Sequence, residues 1–145
     1  MSRRAGCAAF AVAFVILCTA LPARAQEFLG TWLTEQGEAH VRVERCGPQM
    51  CGTVVWLRDA IDPKTGRPQA DDKNPNPSLR TRPIIGLRIF AMDQDPTGSW
   101  VGSIYNSDDG RNYRGRLSPR GDKEIEVHGC DGNMCGSEVW KRVGN

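Results

Sequence analysis

From residue 27 onward, apolar and polar side chains alternate in short runs, and nearly every run ends in turn-forming residues. A period of two is the signature of strands with one buried face. It predicts strands over 27–33, 39–46, 51–58, 84–91, 99–106, 111–117, 123–129 and 135–143. The connections carry suitable chemistry, including Gly47-Pro48, Asp95-Pro96-Thr97-Gly98, Asp108-Asp109-Gly110 and Asp131-Gly132. No helix-length 3.6 periodicity competes. Eight short strands with mostly tight connections predict an all-β chain, an antiparallel up-and-down barrel, with a β-sandwich as the rival. One connection breaks the rhythm. Residues 59–83 include Pro63, Pro68, Pro75, Pro77 and Pro83, and loops of such length are usually either functional or disordered.

Within this pattern one unit occurs twice. Residues 46–58, CGPQMCGTVVWLR, return as residues 130–142, CDGNMCGSEVWKR. Each copy begins at a turn between two predicted strands. If strands alternate in direction, the two turns lie at opposite ends of the barrel, so the cysteines must close locally as Cys46 with Cys51 and Cys130 with Cys135. A four-cysteine zinc site does not suit that separation, and C-x4-C is a looser spacing than structural zinc prefers. Met50 and Met134 with His40 or His128 offer soft ligands, but methionines beside turns are more often packing residues. No metal or other cofactor is therefore expected. The repeat predicts one staple used twice rather than a duplicated domain.

The N-terminus changes the meaning of the composition. Arg3 and Arg4, an apolar run through Leu21, and Ala23-Arg24-Ala25 have the three parts of a secretory signal. Cleavage after Ala25 is expected, leaving residues 26–145 as one domain in the periplasm or outside the cell. The formal charge of +2 then becomes about −1, because three arginines leave with the signal. No cationic tract remains for a row of phosphates, which argues against nucleic acid as a partner. No membrane span is expected after processing. Oxidising conditions favour two disulfides, a common support for a domain with few apolar residues.

The chain resembles the bacterial domain-of-unknown-function family 2147. The resemblance rests on Gly30-Thr31-Trp32, Cys51-Gly52 with Val55-Trp56-Leu57, and Asn74-Pro75-Asn76-Pro77 with Leu79-Arg80-Thr81-Arg82-Pro83. It extends through Ile104-Tyr105-Asn106, Asp109-Gly110, Tyr113, and Gly129-Cys130 leading to Trp140-Lys141-Arg142. It implies a lipocalin-like β-barrel and supplies no catalytic residues. It also implies that Trp32 and Arg142 form a structural plug at the closed end, a guanidinium stacked on an indole.

Functional candidates gather at the other end. By strand parity the long loop, the Asp108 turn and the Cys130–Cys135 turn frame one open mouth. Arg80 and Arg82 in the loop suit anionic groups through bidentate hydrogen bonds; alternatively they bond loop carbonyls and Asp71 or Asp72. Asn74, Tyr105 and Tyr113 complete the candidate ligand-binding set. No nucleophile–base pair or paired carboxylates stand out, so an enzyme is not expected. The leading expectation is a small, partly apolar or anionic ligand bound at the mouth. The alternative is a ligand-free module that contacts a protein partner or the cell envelope.

Overall fold

Eight strands pair in chain order and the last returns to the first, which closes this chain on itself. The computed structural model describes residues 28–144; the expected secretory segment and its expected cleavage point lie outside them. The strands are β1 (Gly30–Leu33), β2 (Ala39–Cys46), β3 (Gln49–Leu57) and β4 (Arg88–Gln94). They continue as β5 (Trp100–Asn106), β6 (Arg111–Pro119), β7 (Glu124–Asp131) and β8 (Met134–Arg142). Each pairs antiparallel with the next, and β1 closes on β8 through Trp32 opposite Arg142 and Leu33 opposite Lys141. A closed up-and-down barrel replaces the sandwich alternative.

Large side chains fill one end. Trp32, Met50, Phe90, Met92, Trp100, Leu117 and Ile125 are all buried there in one cluster. Burying such side chains contributes roughly 1.5–3 kcal/mol each before chain entropy is counted. At this end the Arg142 guanidinium lies 4.2 Å from the centroid of the Trp32 ring. Its Nη1 donates to the Leu29 carbonyl at 2.7 Å and its Nε to the Asp122 carbonyl at 2.9 Å. The cation therefore bridges the chain entering β1 and the β6–β7 turn.

Both disulfides close locally, Cys46 with Cys51 and Cys130 with Cys135. They lie at opposite ends, and the two copies meet different surroundings. Met50 is fully buried whereas Met134 is 77% exposed, and Trp56 faces outward against His40 whereas Trp140 is buried. In the β4–β5 hairpin Asp95 acts as the turn residue the sequence predicts, accepting from the backbone N–H groups of Thr97 and Ser99 at 2.9 and 3.0 Å. Its hydrogen bonds, that of the Thr97 hydroxyl foremost, hold the carboxyl below its ordinary range.

One strand is displaced from the sequence pattern. The apolar residues of 84–87 predict strand, yet β4 begins at Arg88. Gly86 has φ +93°, a conformation that favours glycine, and the Leu87 N–H bonds the Ile84 carbonyl at 3.0 Å. This turn directs Ile84 and Leu87 onto Val54, forming a second buried cluster. Apolar content there reflects a loop packed on the barrel.

The long connection is part of the barrel wall. Pairing of β3 with β4 stops at Thr53 opposite Arg88, leaving the mouth half of β3 without a β4 partner. Loop backbone fills the gap: Val54 N–H donates to the Leu87 carbonyl at 3.0 Å, and Gly86 N–H to the Val54 carbonyl at 2.8 Å. Isolated bridges join Ile61 to Pro68 and Ala70 to Pro83. A short 3-10 turn, Pro77–Leu79, is capped by the Asn76 side chain. On the far side the loop presses on the β5–β6 turn so closely that a Cβ on Gly110 would lie 2.0 Å from the Lys73 carbonyl oxygen.

Candidate functional site: the cavity at the open end

Small residues make the cavity. On β8, Trp140, Glu138, Gly136 and Met134 share one face by period-two alternation, and on β7 Ile125, Val127 and Gly129 do the same. Gly129 lies directly opposite Gly136. Where the closed end has indoles and thioethers, the mouth end of this wall has two glycines, and a Cβ on Gly136 would meet nothing within 4 Å. The resulting cavity holds about 650 Å³ and opens between the loops. Its floor and walls include Val41, Val54, Ile104, Val127 and Trp140. A smaller cleft of about 360 Å³ lies beside it, against loop residues Gln69, Ala70, Asp72 and Lys73, and shares Glu38, Leu57, Ile84, Ser107 and Asp108 with it.

The sequence candidates separate into two groups. Tyr105 and Tyr113 line the cavity, whereas its lining does not include Asn74, Arg80 or Arg82. Those three belong to a network around Asp71, a fully buried carboxylate in the long loop. Asp71 Oδ2 receives Arg82 Nε at 2.8 Å, Arg82 Nη2 at 2.7 Å and Asn74 Nδ2 at 2.7 Å. Its Oδ1 receives the Tyr105 hydroxyl at 2.6 Å. Arg80 Nε donates to the Asn74 carbonyl at 2.7 Å, and the Arg82 guanidinium lies 5.6 Å from the Tyr105 ring centroid. A buried charge needs such company, since an unpaired one would cost several kcal/mol. Burial, then the bond to Asp71, pushes the Tyr105 phenol above its ordinary range.

Tyr113 is tied differently. Its hydroxyl donates a short hydrogen bond to Asp109, which, ahead of any other influence, raises its pKa. The ring leans over Gly129, whose hypothetical Cβ would stand 3.4 Å from the Tyr113 Cβ.

Carboxylates dominate the rim, and sequence reasoning missed this. Glu38, Asp108, Asp131 and Glu138 line the cavity. In the sequence Asp108 and Asp131 read as turn chemistry alone, although strand parity puts both turns at the mouth. Partial burial in the crowded rim, then the negative charges of Glu38 and Asp109, push the Asp108 carboxyl up. Among the described residues no group of three or more His, Cys, Asp or Glu side chains is arranged to hold a metal ion.

A closed eight-stranded antiparallel up-and-down barrel with a packed end and an open end is a lipocalin-like fold. The chain belongs to the family described as "Uncharacterized protein conserved in bacteria (DUF2147)", whose model matches residues 30–142. It is similar in structure to protein HP1028 from the human pathogen Helicobacter pylori, which is described as belonging to the lipocalin family. The TM-score is 0.68 at 23% sequence identity, over 82% of this chain and 84% of the other. That level of identity speaks to fold alone. No curated protein matches the sequence.

Proposed function

We propose that the mature chain is an exported binding protein that takes a small, partly apolar ligand into the open end of its barrel. The observation that carries this is the cavity of about 650 Å³ with apolar walls from several strands, within the range of small-molecule sites. Two disulfides and the N-terminal signal pattern support export; among the described residues no helix is long and apolar enough to cross a membrane. In this reading Tyr105 and Tyr113 contact ligand, while Asn74, Arg80 and Arg82 hold the loop that forms one wall.

The test uses a neutral fluorescent probe, N-phenyl-1-naphthylamine, titrated into the oxidised mature protein. Saturable one-to-one uptake is expected, with a Kd on the order of micromolar. Gly136→Trp, whose Cβ would meet nothing within 4 Å and whose indole would extend into the cavity, should abolish uptake while leaving the barrel folded. No uptake by the wild type, or unaltered uptake by Gly136→Trp, would refute the proposal.

A second reading has its own observation. Ile61, Leu79 and Ile85 are exposed on the long loop, a pattern suited to contact with a protein partner. Replacing all three by serine should abolish crosslinking to such a partner without altering probe uptake.

A further inference from the structure

We infer that the cavity selects a cationic amphiphile, a ligand with an apolar body and an ammonium group held at the mouth. This rests on the cavity being a ligand site and names the chemistry of what enters it. Four carboxylates, Glu38, Asp108, Asp131 and Glu138, line the cavity against a single cation, Arg111. They arrive from four places: the β1–β2 turn, the β5–β6 turn, the end of β7 and the middle of β8. Arg111 is already engaged, its Nη1 3.4 Å from Asp131 Oδ2.

Nearby cations do not reverse the balance. Arg58 divides its charge between Glu38 at 3.3 Å and Asp59 at 3.5 Å, with its side chain and those of both partners more than half exposed, which leaves Asp108 and Glu138 as the rim carboxylates without an arginine partner. Lys73 lines the adjoining cleft, but Asp59 and Asp72 accompany it there. Arg82 is committed to buried Asp71 and Arg80 Nε to a loop carbonyl, so the two-arginine block supplies no anion site inside the cavity.

The rim is also preorganised. Glu138 Oε2 accepts a 2.9 Å hydrogen bond from the indole N–H of Trp140, which lies deeper in the same wall. That bond holds a carboxylate over an apolar floor. Asp108 is partly buried in the rim and then feels the charges of Glu38 and Asp109, which together push its carboxyl up against the smaller opposing effect of Lys73, and an entering cation relieves that repulsion. Tyr105, Tyr113 and Trp140 add aromatic surface of the kind that favours ammonium groups. An apolar body against Val41, Ile104 and Val127 with an ammonium at the carboxylates satisfies both parts of the site.

Three probes sharing a ten-carbon chain separate the possibilities: decyltrimethylammonium, 1-decanol and decanoate, each titrated calorimetrically below its aggregation threshold at low salt. The expected order is cation, then alcohol, then carboxylate, with the cation roughly tenfold or more tighter than decanoate. Glu138→Gln combined with Asp108→Asn should cut the cation's affinity roughly tenfold and remove its advantage over 1-decanol. Equal or tighter binding of decanoate overturns the inference, as does an unaltered cation affinity in the double variant. Failure of all three probes to bind instead overturns the cavity reading beneath it.

Discussion

The phenol of Tyr105, on β5, donates a 2.6 Å hydrogen bond to the carboxylate of Asp71, in the long loop 34 residues earlier. That contact joins a regular strand to an irregular segment at the level where β4 no longer reaches. Asp71 is the loop's anchor because five oxygen or nitrogen groups converge on it or on each other: the carboxylate, the Arg82 guanidinium, the Asn74 amide, the Tyr105 hydroxyl and the Asp71 N–H bonded to the Arg82 carbonyl at 3.0 Å. The cavity has a wall on this side only while the anchor holds.

Asp71→Ala is expected to destabilise the protein by about 2–4 kcal/mol, because it leaves Arg82, Asn74 and Tyr105 without their shared acceptor. The loss stays below that for a fully buried pair, since Arg82 is 36% exposed and water partly replaces its partner. Tyr105→Phe removes one donor of several and should cost about 1 kcal/mol. Urea unfolding measures both. Hydrogen exchange should show loop amides losing protection in Asp71→Ala while the strands of the closed end keep theirs.

Stability should fall at alkaline pH partly through the same tyrosine. Burial, followed by the bond to Asp71, raises the Tyr105 pKa in the folded state, so above the ordinary phenol range the native chain retains a proton that the unfolded chain has lost. The native state then binds more protons, and stability decreases as pH rises through that window. Below it the contribution is fully present. Urea midpoints measured from pH 8 to 11 should decline less steeply for Tyr105→Phe than for the wild type; parallel curves would contradict the assignment.

Alternation and turn chemistry carried nearly the whole barrel. Val41 and Val43, or Ile125 and Val127, announce an inward face, and strand parity then assigns each turn to an end. The displaced start of β4 was not legible because Ile84 and Leu87 are buried for a reason unrelated to strand pairing: they cover Val54 from a loop. The site was half legible. Strand parity puts Tyr105 and Tyr113 at the mouth, and Asp71 lies close enough in the chain to Arg80 and Arg82 to offer them a partner. The pairing of Gly129 with Gly136 follows from the hairpin that Cys130 and Cys135 close; what the local pattern does not encode is that strands distant in sequence, β2, β3 and β5, leave the space over these glycines unfilled.

The two copies of the cysteine unit should tolerate the same substitution very differently. A Cβ on Gly52 would lie 2.2 Å from the Phe90 ring, which crosses over it from β4, whereas one on Gly136 meets open space. Gly52→Ala must therefore displace a buried aromatic ring and is expected to cost about 1–3 kcal/mol. Gly136→Ala should stay within about 0.5 kcal/mol of wild type. Thermal or urea unfolding of the pair checks this. Similar losses at the two positions would mean that the wall of the cavity is as tightly packed as the closed end.

Removing the disulfides should expose the same division of labour. Each closes a short loop between cysteines five residues apart, so replacing either pair by serine should cost about 2 kcal/mol through the unfolded chain's regained freedom. The consequences for binding differ. Cys46 and Cys51 staple the hairpin that carries fully buried Met50 at the packed end, while Cys135 and exposed Met134 line the cavity. Loss of the Cys130–Cys135 bond releases the turn that carries Asp131 and lets the rim spread, so probe affinity should fall several-fold, beyond the change in stability. Loss of Cys46–Cys51 should lower the unfolding midpoint and leave probe affinity in the folded protein where it was. Titrating N-phenyl-1-naphthylamine into both serine variants at a temperature where each remains folded measures the difference; equal effects on affinity would show that the two ends are mechanically coupled through the barrel.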